Sequence, residues 1–421
     1  MSNPRQRIAV IGSGVSGLTT AWLLAEHHDV HVFEAGNYAG GHTNTEMVTA
    51  GGKDWPVNTG FIVFNDWTYP NFIKLMDRLG VASEVSDMSF SVDGHASGLQ
   101  YNGTNLNTLF AQRSNLLNLP FLRMIREILR FNKESREDLA SDSINDDETL
   151  GEYLNRNRYS RYFRNNYIVP MGAAIWSAPE IVLEQFPIRF FLQFFNNHGM
   201  LSVDHRPTWR VISGGSASYV SAMMDRLGDN THLNSPVSSV TRDTEGVTVE
   251  VAGEQQRFDQ VVFACHSDQA LGMIKDPTAA EKDILGDIPF QNNDVVLHTD
   301  SSVLPSNKRA WAAWNYFIPS HSTEPVSVTY NMNILQNFHS APEIFCVTLN
   351  RARDINPAKI IKRFEYSHPV FSMEAVAAQG RYDEIGGQNR SHFCGAYWFN
   401  GFHEDGVCSA LRVARAFGVE L

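Results

Sequence analysis

A glycine-rich turn between an apolar strand and a helix places the tightest constraint on how this chain folds. Residues 8–11 form an apolar run, and Gly12, Gly14 and Gly17 follow it in the spacing GxGxxG at the start of a helical stripe. The first glycine permits a tight turn, the second admits a pyrophosphate, and the third lets helix and strand pack closely. Glu34 ends the next apolar run, where a carboxylate accepts hydrogen bonds from ribose hydroxyls. The pattern predicts a dinucleotide site, whose first segment comprises Gly12, Gly14, Ser16, Gly17, Glu34 and Ala35.

The size and charge of the chain exclude several classes of protein. Its 421 residues predict two or three structural units. A net charge of −12 argues against nucleic acid as a partner, because phosphate backbones attract basic surfaces. The four cysteines show neither a CxxC pair nor the spacing of zinc ligands, so we expect reduced thiols and no metal. The sequence has no signal-peptide pattern and no apolar run of about 18 residues. We therefore expect a cytoplasmic protein that is soluble or lies against a membrane.

A second glycine pair, Gly40 and Gly41, follows Glu34 in the segment EAGNYAGGH. Together with the first motif, this segment resembles the flavin-containing amine oxidase and phytoene desaturase superfamily. The resemblance implies non-covalently bound FAD, with Gly40 and Gly41 around its phosphate and ribityl region. Tyr38 and His42 stand where that superfamily usually has arginines, so His42 joins the predicted FAD site and backbone amides compensate more of the phosphate charge. A surface turn is the alternative interpretation of this glycine pair.

The resemblance extends along nearly the whole chain. The segment TWRVISGGSASYV resembles the superfamily's segment of a tryptophan and two glycines, which leads into a helix. For the strands that follow it, the resemblance implies that Val237 contacts the adenine through its backbone. A valine that only fills the core is the alternative.

The segment FCGAYWFNGFHEDGVCSALRVARAF resembles the closing flavin motif of the superfamily. We predict a strand over HFCGAYWF and a helix over 407–417. The resemblance implies that Asp405 binds the ribityl chain or the pyrophosphate, and that Gly406 and Val407 offer N–H groups to the flavin. Alternatively, Glu404 and Asp405 only cap the helix.

These segments predict an α/β fold built from two interleaved units. A Rossmann-type FAD-binding unit comprises residues 1–80, 207–285 and 386–421. A substrate unit comprises the largely helical residues 81–206 and the mixed β-sheet of residues 286–385.

A narrower resemblance concerns predicted FAD-binding oxidoreductases associated with bacterial cyclopropane fatty acid synthases, which also form the N-terminal part of the plant counterparts. The segments that carry it are VNTGFIVFN, VPMGAAIWSAP, AWAAWNY and FCGAYWFNGFHEDG. It implies chemistry on a fatty-acyl or modified-lipid chain. The segment FPIRFFLQFF is compatible with an apolar tunnel, with a membrane-facing patch, or with ordinary core packing.

Candidate catalytic residues are few, because in flavin chemistry the protein mainly positions the substrate and excludes water. His403 adjoins the closing flavin motif and is the best titratable candidate, with a structural histidine as the alternative. Trp176 and Tyr397 are candidates for the substrate cavity or for the core. The paired tyrosines and the lysine of amine oxidases have no evident counterpart.

The leading hypothesis is an FAD-dependent oxidoreductase that takes hydride from a hydrophobic substrate, such as a fatty-acyl chain. A flavoprotein that supports a lipid-modifying enzyme without catalysing turnover is the first alternative. A flavin amine oxidase is the second.

Overall fold

The computed structural model describes residues 5–319 and 326–421. In chain order, its strands are β1 (Arg7–Ile11), β2 (Asp29–Phe33), β3 (Thr45–Ala50), β4 (Lys53–Asn58), β5 (Val63–Asn65), β6 (Ser83–Val85), β7 (Phe90–Gly94), β8 (Gln100–Asn102), β9 (Trp209–Ile212), β10 (Thr231–His232), β11 (Val237–Arg242), β12 (Val247–Val251), β13 (Glu254–Phe258), β14 (Gln260–Phe263), β15 (Phe290–His298), β16 (Trp314–Ile318), β17 (Ser327–Asn331), β18 (Cys346–Leu349), β19 (Ile360–Pro369) and β20 (Ser391–Phe393). Its α-helices are α1 (Val15–Leu24), α2 (Pro70–Leu79), α3 (Leu106–Leu109), α4 (Leu119–Ala140), α5 (Leu150–Arg156), α6 (Arg161–Phe163), α7 (Val169–Trp176), α8 (Glu180–Leu183), α9 (Ile188–Asn197), α10 (Ala217–Leu227), α11 (Ser267–Met273), α12 (Ala279–Gly286), α13 (Met332–Leu335), α14 (Met373–Gly380) and α15 (His403–Ala416).

A parallel sheet with the strand order β10-β2-β1-β14-β20 forms the nucleotide-binding part of the fold. After Arg7, its central strand β1 is apolar, as expected for a strand with both faces buried. Ile8 and Val10 belong to one core, with residues of α1, α2, α10 and α15, whereas Ala9 and Ile11 belong to another, beneath the hairpin sheet β11-β12-β13. Distant segments of the chain therefore build one sheet.

The second large sheet is mixed and has the strand order β19-β15-β18-β17-β16-β7-β8. Its neighbouring strands are antiparallel except for β16 and β7, which run parallel. Strands β15 to β19 all lie in this sheet, in keeping with the mixed sheet predicted for residues 286–385. Strands β7 and β8 were not predicted, because FSVDG alternates over only five residues and QYN has only three.

Helices α3 to α9 pack around an aromatic core that includes Phe121, Phe131 and Phe163. The segment FPIRFFLQFF forms the start of α9, and Phe191, Leu192, Phe194 and Phe195 are all buried in this core. Among the three interpretations of this segment, the burial of these side chains favours core packing over a membrane-facing patch.

The closing motif differs from its prediction in two respects. The predicted strand over HFCGAYWF is limited to β20 and is followed by a 3-10 turn, Ala396–Trp398. The predicted helix begins four residues earlier than expected, since α15 starts at His403. Its first turn is capped by Asp405, whose carboxylate accepts a hydrogen bond from the Phe402 N–H at 2.8 Å.

The predicted α/β class, with a nucleotide-binding sheet beside a mixed sheet and a helical layer, is confirmed. The proposed unit boundaries remain a prediction. Within the residues described, no helix combines the length and the apolar character needed to cross a membrane.

Candidate functional site

The glycine-rich turn lies at the carboxyl end of β1, where ligands bind in parallel α/β sheets. Gly12 has a φ of +105°, and a Cβ atom there would lie 2.7 Å from the Ala264 carbonyl oxygen. A Cβ atom at Gly17 would overlap the Gly12 carbonyl. At Gly14 a Cβ atom would meet no protein atom within 4 Å, and no side chain caps the N-terminus of α1. The free N–H groups of α1 therefore face open space beside Gly14.

Glu34 follows β2 and closes the turn from the neighbouring strand. Its carboxylate accepts hydrogen bonds from the Ser13 N–H at 3.0 Å, the Ser13 hydroxyl at 2.5 Å and the Gly36 N–H at 2.7 Å. These bonds fix the carboxylate next to the turn, where an adenosine ribose would lie. Ala35 follows Glu34 and is exposed.

Val237 starts β11 close to this carboxylate. The preceding loop is tied to the Glu34 segment, since the Ser235 N–H donates to the Glu34 carbonyl at 2.8 Å and the Asn234 N–H donates to the Gly36 carbonyl at 2.8 Å. The structure thus brings Val237 and Glu34 to one side of the site.

The second glycine pair packs directly on the first motif. The Gly40 N–H donates to the Ser13 carbonyl at 2.9 Å, and a Cβ atom at Gly41 would lie 3.2 Å from the Gly14 Cα. Both glycines have positive φ, +119° and +57°. The pair therefore packs on the first motif, which favours its predicted place in the FAD site over a surface turn.

The N-terminus of α15 meets the N-terminus of α1. A Cβ atom at Gly406 would lie 2.6 Å from Val15 Cγ1 and 3.0 Å from the hydroxyl of Ser16, which is itself buried. Gly406 therefore allows the close approach of the two helices, whose dipoles both favour negative charge at this point.

The N–H contacts from Gly406 and Val407 to the flavin stay a prediction. The Gly406 N–H already donates to the Phe402 carbonyl at 3.0 Å, and Val407 lies one position deeper in the helix. Because α15 begins at His403, the N–H groups without intrahelical acceptors are those of His403, Glu404 and Asp405.

Asp405 and Glu404 occupy different environments although they are adjacent. Burial raises the pKa of Asp405 to about 7. Glu404 instead accepts hydrogen bonds from the Asn71 and Phe72 N–H groups and caps α2. The capping interpretation therefore holds for Asp405, which caps its own helix, whereas Glu404 caps α2 instead of α15.

Four histidines, which we call the histidine cluster, approach each other beyond the second glycine pair: His42, His266, His368 and His403. Burial is the main cause that lowers the pKa of each, for His42 to about 3 and for His368 to about 4. The rings of His42 and His368 are 5.5 Å apart. The cluster is therefore neutral at pH 7, and His42 brings no positive charge to replace the arginine of the superfamily.

His403 is held from three sides. Its ring stacks on Phe61 at 3.5 Å, and its Nε2 lies 2.9 Å from the Thr43 hydroxyl and 3.1 Å from the Tyr219 hydroxyl. The two hydroxyls also bond to each other. This network fixes the imidazole at the start of α15.

Five side chains form what we call the aromatic wall: Trp176, Phe190, Phe194, Phe371 and Phe402. Phe194 stacks on Phe402 at 4.9 Å and contacts Trp176 at 4.8 Å. The Trp176 Nε1–H donates to the Asn400 carbonyl at 3.4 Å, so the wall is joined to the segment that leads into α15.

Tyr397 lies apart from this wall. It is 4% exposed and packs with Phe290 and Trp398 in the core beneath the hairpin sheet. The structure gives Tyr397 a core position, and its predicted role in the cavity gains no support.

Sequence reasoning missed His266, His368, Thr43 and Tyr219. A signal existed for His266, which follows the carboxyl end of β14, where ligands of such sheets bind. His368 lies on β19 of the other sheet, and nothing in its neighbourhood along the chain indicates that it approaches His42.

The arrangement fits FAD. The space beside Gly14, which a Cβ atom would fill, lies between two helix N-termini suited to a pyrophosphate. Glu34 and the Val237 segment would hold the adenosine, and the N-terminus of α15 would face the flavin end, whose reduced form carries negative charge. The four cysteines are all free thiols, and Cys408 is turned toward Glu404 and Asn71.

Comparison with known proteins agrees with this reading. The model of the family "Flavin containing amine oxidoreductase" matches residues 15–330. The chain is 24% identical over 260 residues to amine oxidase [flavin-containing] A of Canis lupus familiaris, which covers 59% of this chain and 47% of that protein. It thus spans about half the length of the curated relatives that it matches.

Two solved structures share the fold over nearly the whole chain. Cyclohexylamine oxidase from Brevibacterium oxydans IH-35A has a TM-score of 0.72 at 16% identity, and the match covers 98% of this chain and 99% of that one. The CLA-producing fatty acid isomerase from P. acnes has a TM-score of 0.71 at 15% identity, with 98% of each chain covered. The chain therefore belongs to the family of flavin-containing amine oxidoreductases, and its cofactor is FAD.

Proposed function

We propose that this protein uses non-covalently bound FAD to oxidise a hydrophobic substrate, and that this substrate is a fatty-acyl or modified-lipid chain. The observation that carries the proposal is the aromatic wall, which ends at Phe402, the residue directly before α15. An apolar surface so close to the flavin end of the site suits a hydrocarbon chain. When bound, FAD supplies the hydride acceptor.

The charge state of the site supports an uncharged reacting group. The histidine cluster is neutral at pH 7 because burial lowers the pKa of its members. Burial also raises the pKa of Asp405 to about 7, so a large fraction of this carboxyl is protonated at that pH. The site offers little negative charge to bind a polyammonium substrate. An acyl chain, which makes no hydrogen bonds with water, has only a small desolvation penalty on entering it.

His403 has a positioning role in this proposal. Its Nε2 is already engaged by the Thr43 and Tyr219 hydroxyls, and its ring lies flat on Phe61. These contacts orient the first turn of α15, whose N–H groups face the cofactor. A direct catalytic role for His403 remains a prediction.

The fold is compatible with an acyl substrate, since one structural neighbour is described as a fatty acid isomerase. Membership of the amine oxidoreductase family supports amine oxidation as the second candidate. The association with a cyclopropane fatty acid synthase, in which the protein would act as a non-catalytic partner, remains a prediction.

Anaerobic mixing of the FAD-loaded protein with oleic acid, dioleoyl phosphatidylglycerol, spermidine and benzylamine tests the proposal. We expect an acyl compound to bleach the visible flavin band and the amines to leave it unchanged. Bleaching by the amines alone, with hydrogen peroxide release in air, would establish the second candidate instead. No bleaching by any compound would overturn catalysis on these substrates and favour the non-catalytic partner.

A pair of variants tests the aromatic wall. Phe190→Ala removes a half-buried ring of the wall, and Phe399→Ala removes a half-buried ring outside it. We expect the first variant to raise the acyl concentration for half-maximal bleaching about tenfold, since it removes apolar contact area, with FAD content unchanged. Equal effects of both variants would contradict the assignment of the wall to the substrate.

A further inference from the structure

Four leucines between the start of α3 and the start of α4 have exposed side chains. Leu106, Leu116, Leu117 and Leu119, which we call the leucine patch, are 75%, 51%, 89% and 76% exposed. Single exposed leucines are common on protein surfaces, but a group of this size within fourteen residues marks a contact surface.

Local hydrogen bonds hold the leucine patch in place. The Arg113 guanidinium donates to the Asn107 and Phe110 carbonyls at 3.1 and 2.8 Å, which ties α3 to the 3-10 turn Arg113–Leu117. The Asn118 side chain accepts from the Phe121 N–H at 3.3 Å and starts α4. The ring of Phe121 is buried against Tyr101. The segment is therefore anchored by its polar and inner residues, and the leucines are presented outward.

The charges around the leucine patch are positive. Residues 105–136 contain six arginines or lysines and two glutamates, although the whole chain has a net charge of −12. Arg123 and Arg126 are exposed on α4, whereas Glu127 is buried and accepts a hydrogen bond from the Ser160 N–H. The exposed charged residues of 105–126 are all basic.

A second segment extends this basic rim. The Asn307 side chain donates to the Ala111 carbonyl at 2.8 Å, which places the 3-10 turn Lys308–Ala310 beside α3. Lys308 and Arg309 are both exposed. The leucine patch is thus flanked by basic side chains from two separate parts of the chain.

We propose that the leucine patch and its basic rim dock this protein on an anionic lipid bilayer. Exposed leucines enter the boundary between headgroups and acyl chains, while arginines and lysines beside them meet lipid phosphates. Because the whole chain has a net charge of −12, a basic face orients the protein on an anionic surface. The proposal concerns binding to a surface and does not depend on which substrate is oxidised.

Flotation of the FAD-loaded protein with vesicles tests the proposal. We expect binding to vesicles of phosphatidylcholine with phosphatidylglycerol, and weaker binding to phosphatidylcholine alone or in high salt. Leu117→Glu combined with Leu119→Glu should lower the bound fraction about tenfold, because two apolar side chains become acidic. Arg123→Glu combined with Arg126→Glu should remove the preference for phosphatidylglycerol.

The far edge of the seven-stranded sheet provides a matched control. Ile361 is 43% exposed and Arg363 is exposed, and both lie on β19, at the opposite edge from β8. Ile361→Glu combined with Arg363→Glu should bind vesicles as the wild type does. Retained flavin absorbance shows that each variant is folded.

Three outcomes would overturn the proposal. The first is a wild-type protein that fails to bind anionic vesicles, and the second is equal binding by the leucine variant. The third is a dimer without vesicle affinity that the leucine variant dissociates, since a second copy of the chain would then cover the leucine patch.

Discussion

The carboxylate of Glu404 accepts a hydrogen bond from the backbone N–H of Phe72 at 2.8 Å. The same side chain accepts from the Asn71 N–H at 3.1 Å, so a residue in the first turn of α15 caps the first turn of α2. Tyr69, the residue before α2, makes no side-chain cap of its own. One carboxylate thus links two helices that lie far apart in the sequence.

Replacing Glu404 by alanine should destabilise the protein by about 1–3 kcal/mol, because two N–H groups of α2 lose their charged acceptor. Urea unfolding of the apoprotein measures the loss. Glu137→Ala, which removes an exposed carboxylate of α4, should change stability by about 0.5 kcal/mol or less. Equal losses in the two variants would show that the cap contributes nothing.

Gly14→Ala should separate folding from cofactor binding. The added Cβ meets no protein atom within 4 Å and φ is −64°, so the apoprotein should lose about 1 kcal/mol or less. The same methyl group occupies space for the pyrophosphate, so we expect FAD affinity to fall about tenfold or more. Fluorescence titration with FAD and thermal unfolding of the apoprotein measure the two effects.

Gly17→Ala is the matched control for this experiment. Its Cβ would overlap the Gly12 carbonyl, so it should destabilise the apoprotein itself. Unchanged FAD affinity in Gly14→Ala would place the pyrophosphate elsewhere.

Acidification should destabilise the protein through its buried histidines. The pKa of His42 is lowered to about 3 and that of His368 to about 4, because burial disfavours the charged ring. A lowered folded-state pKa contributes stability above the unfolded value of 6.5, and this stability is lost as the pH falls toward 4 or 3. The urea midpoint should therefore fall steadily between pH 6.5 and pH 4.

His368→Gln should make this pH dependence shallower, whereas the same change at the exposed His339 should leave it unaltered. Identical slopes in the wild type and in His368→Gln would show that His368 is protonated as readily in the folded as in the unfolded protein.

Asp405 should have the opposite pH dependence. Its folded-state pKa of about 7 lies above the unfolded value of 3.8, so its contribution is present below pH 3.8 and is lost as the pH rises through 7. Asp405→Asn should stabilise the apoprotein relative to the wild type at pH 8 and have little effect at pH 4, as measured by urea unfolding. If it destabilises the protein at pH 8, the helix N-terminus favours the ionised carboxylate more than burial opposes it.

The sequence predicted the parts of the site that depend on local spacing. Gly12, Gly14 and Gly17 lie where the motif requires, and Glu34 is next to them, because a turn between strand and helix is determined within about twenty residues. The start of α15 was placed too late because GFHEDG lacks the usual serine or threonine cap. The Asp405 carboxylate, which accepts from the Phe402 N–H, caps the helix instead.

The histidine cluster was not predictable from spacing. His42 lies in the turn before β3 and His368 lies on β19, so the two meet only through tertiary packing. The same reason explains Tyr219, whose hydroxyl reaches His403 from α10. Contacts between distant segments depend on how two sheets are positioned, which no local pattern encodes.

The close approach of α1 and α15 at Gly406 also bears on how the protein is made. One wall of the cofactor site begins at residue 15 and is synthesised early, whereas the other wall begins only at residue 403. The site therefore cannot form on a nascent chain that has not reached residue 403. FAD can then add stability only late, by binding to chains that have already assembled both walls. In cells short of flavin, we therefore expect apoprotein to accumulate and to be degraded faster than the loaded protein.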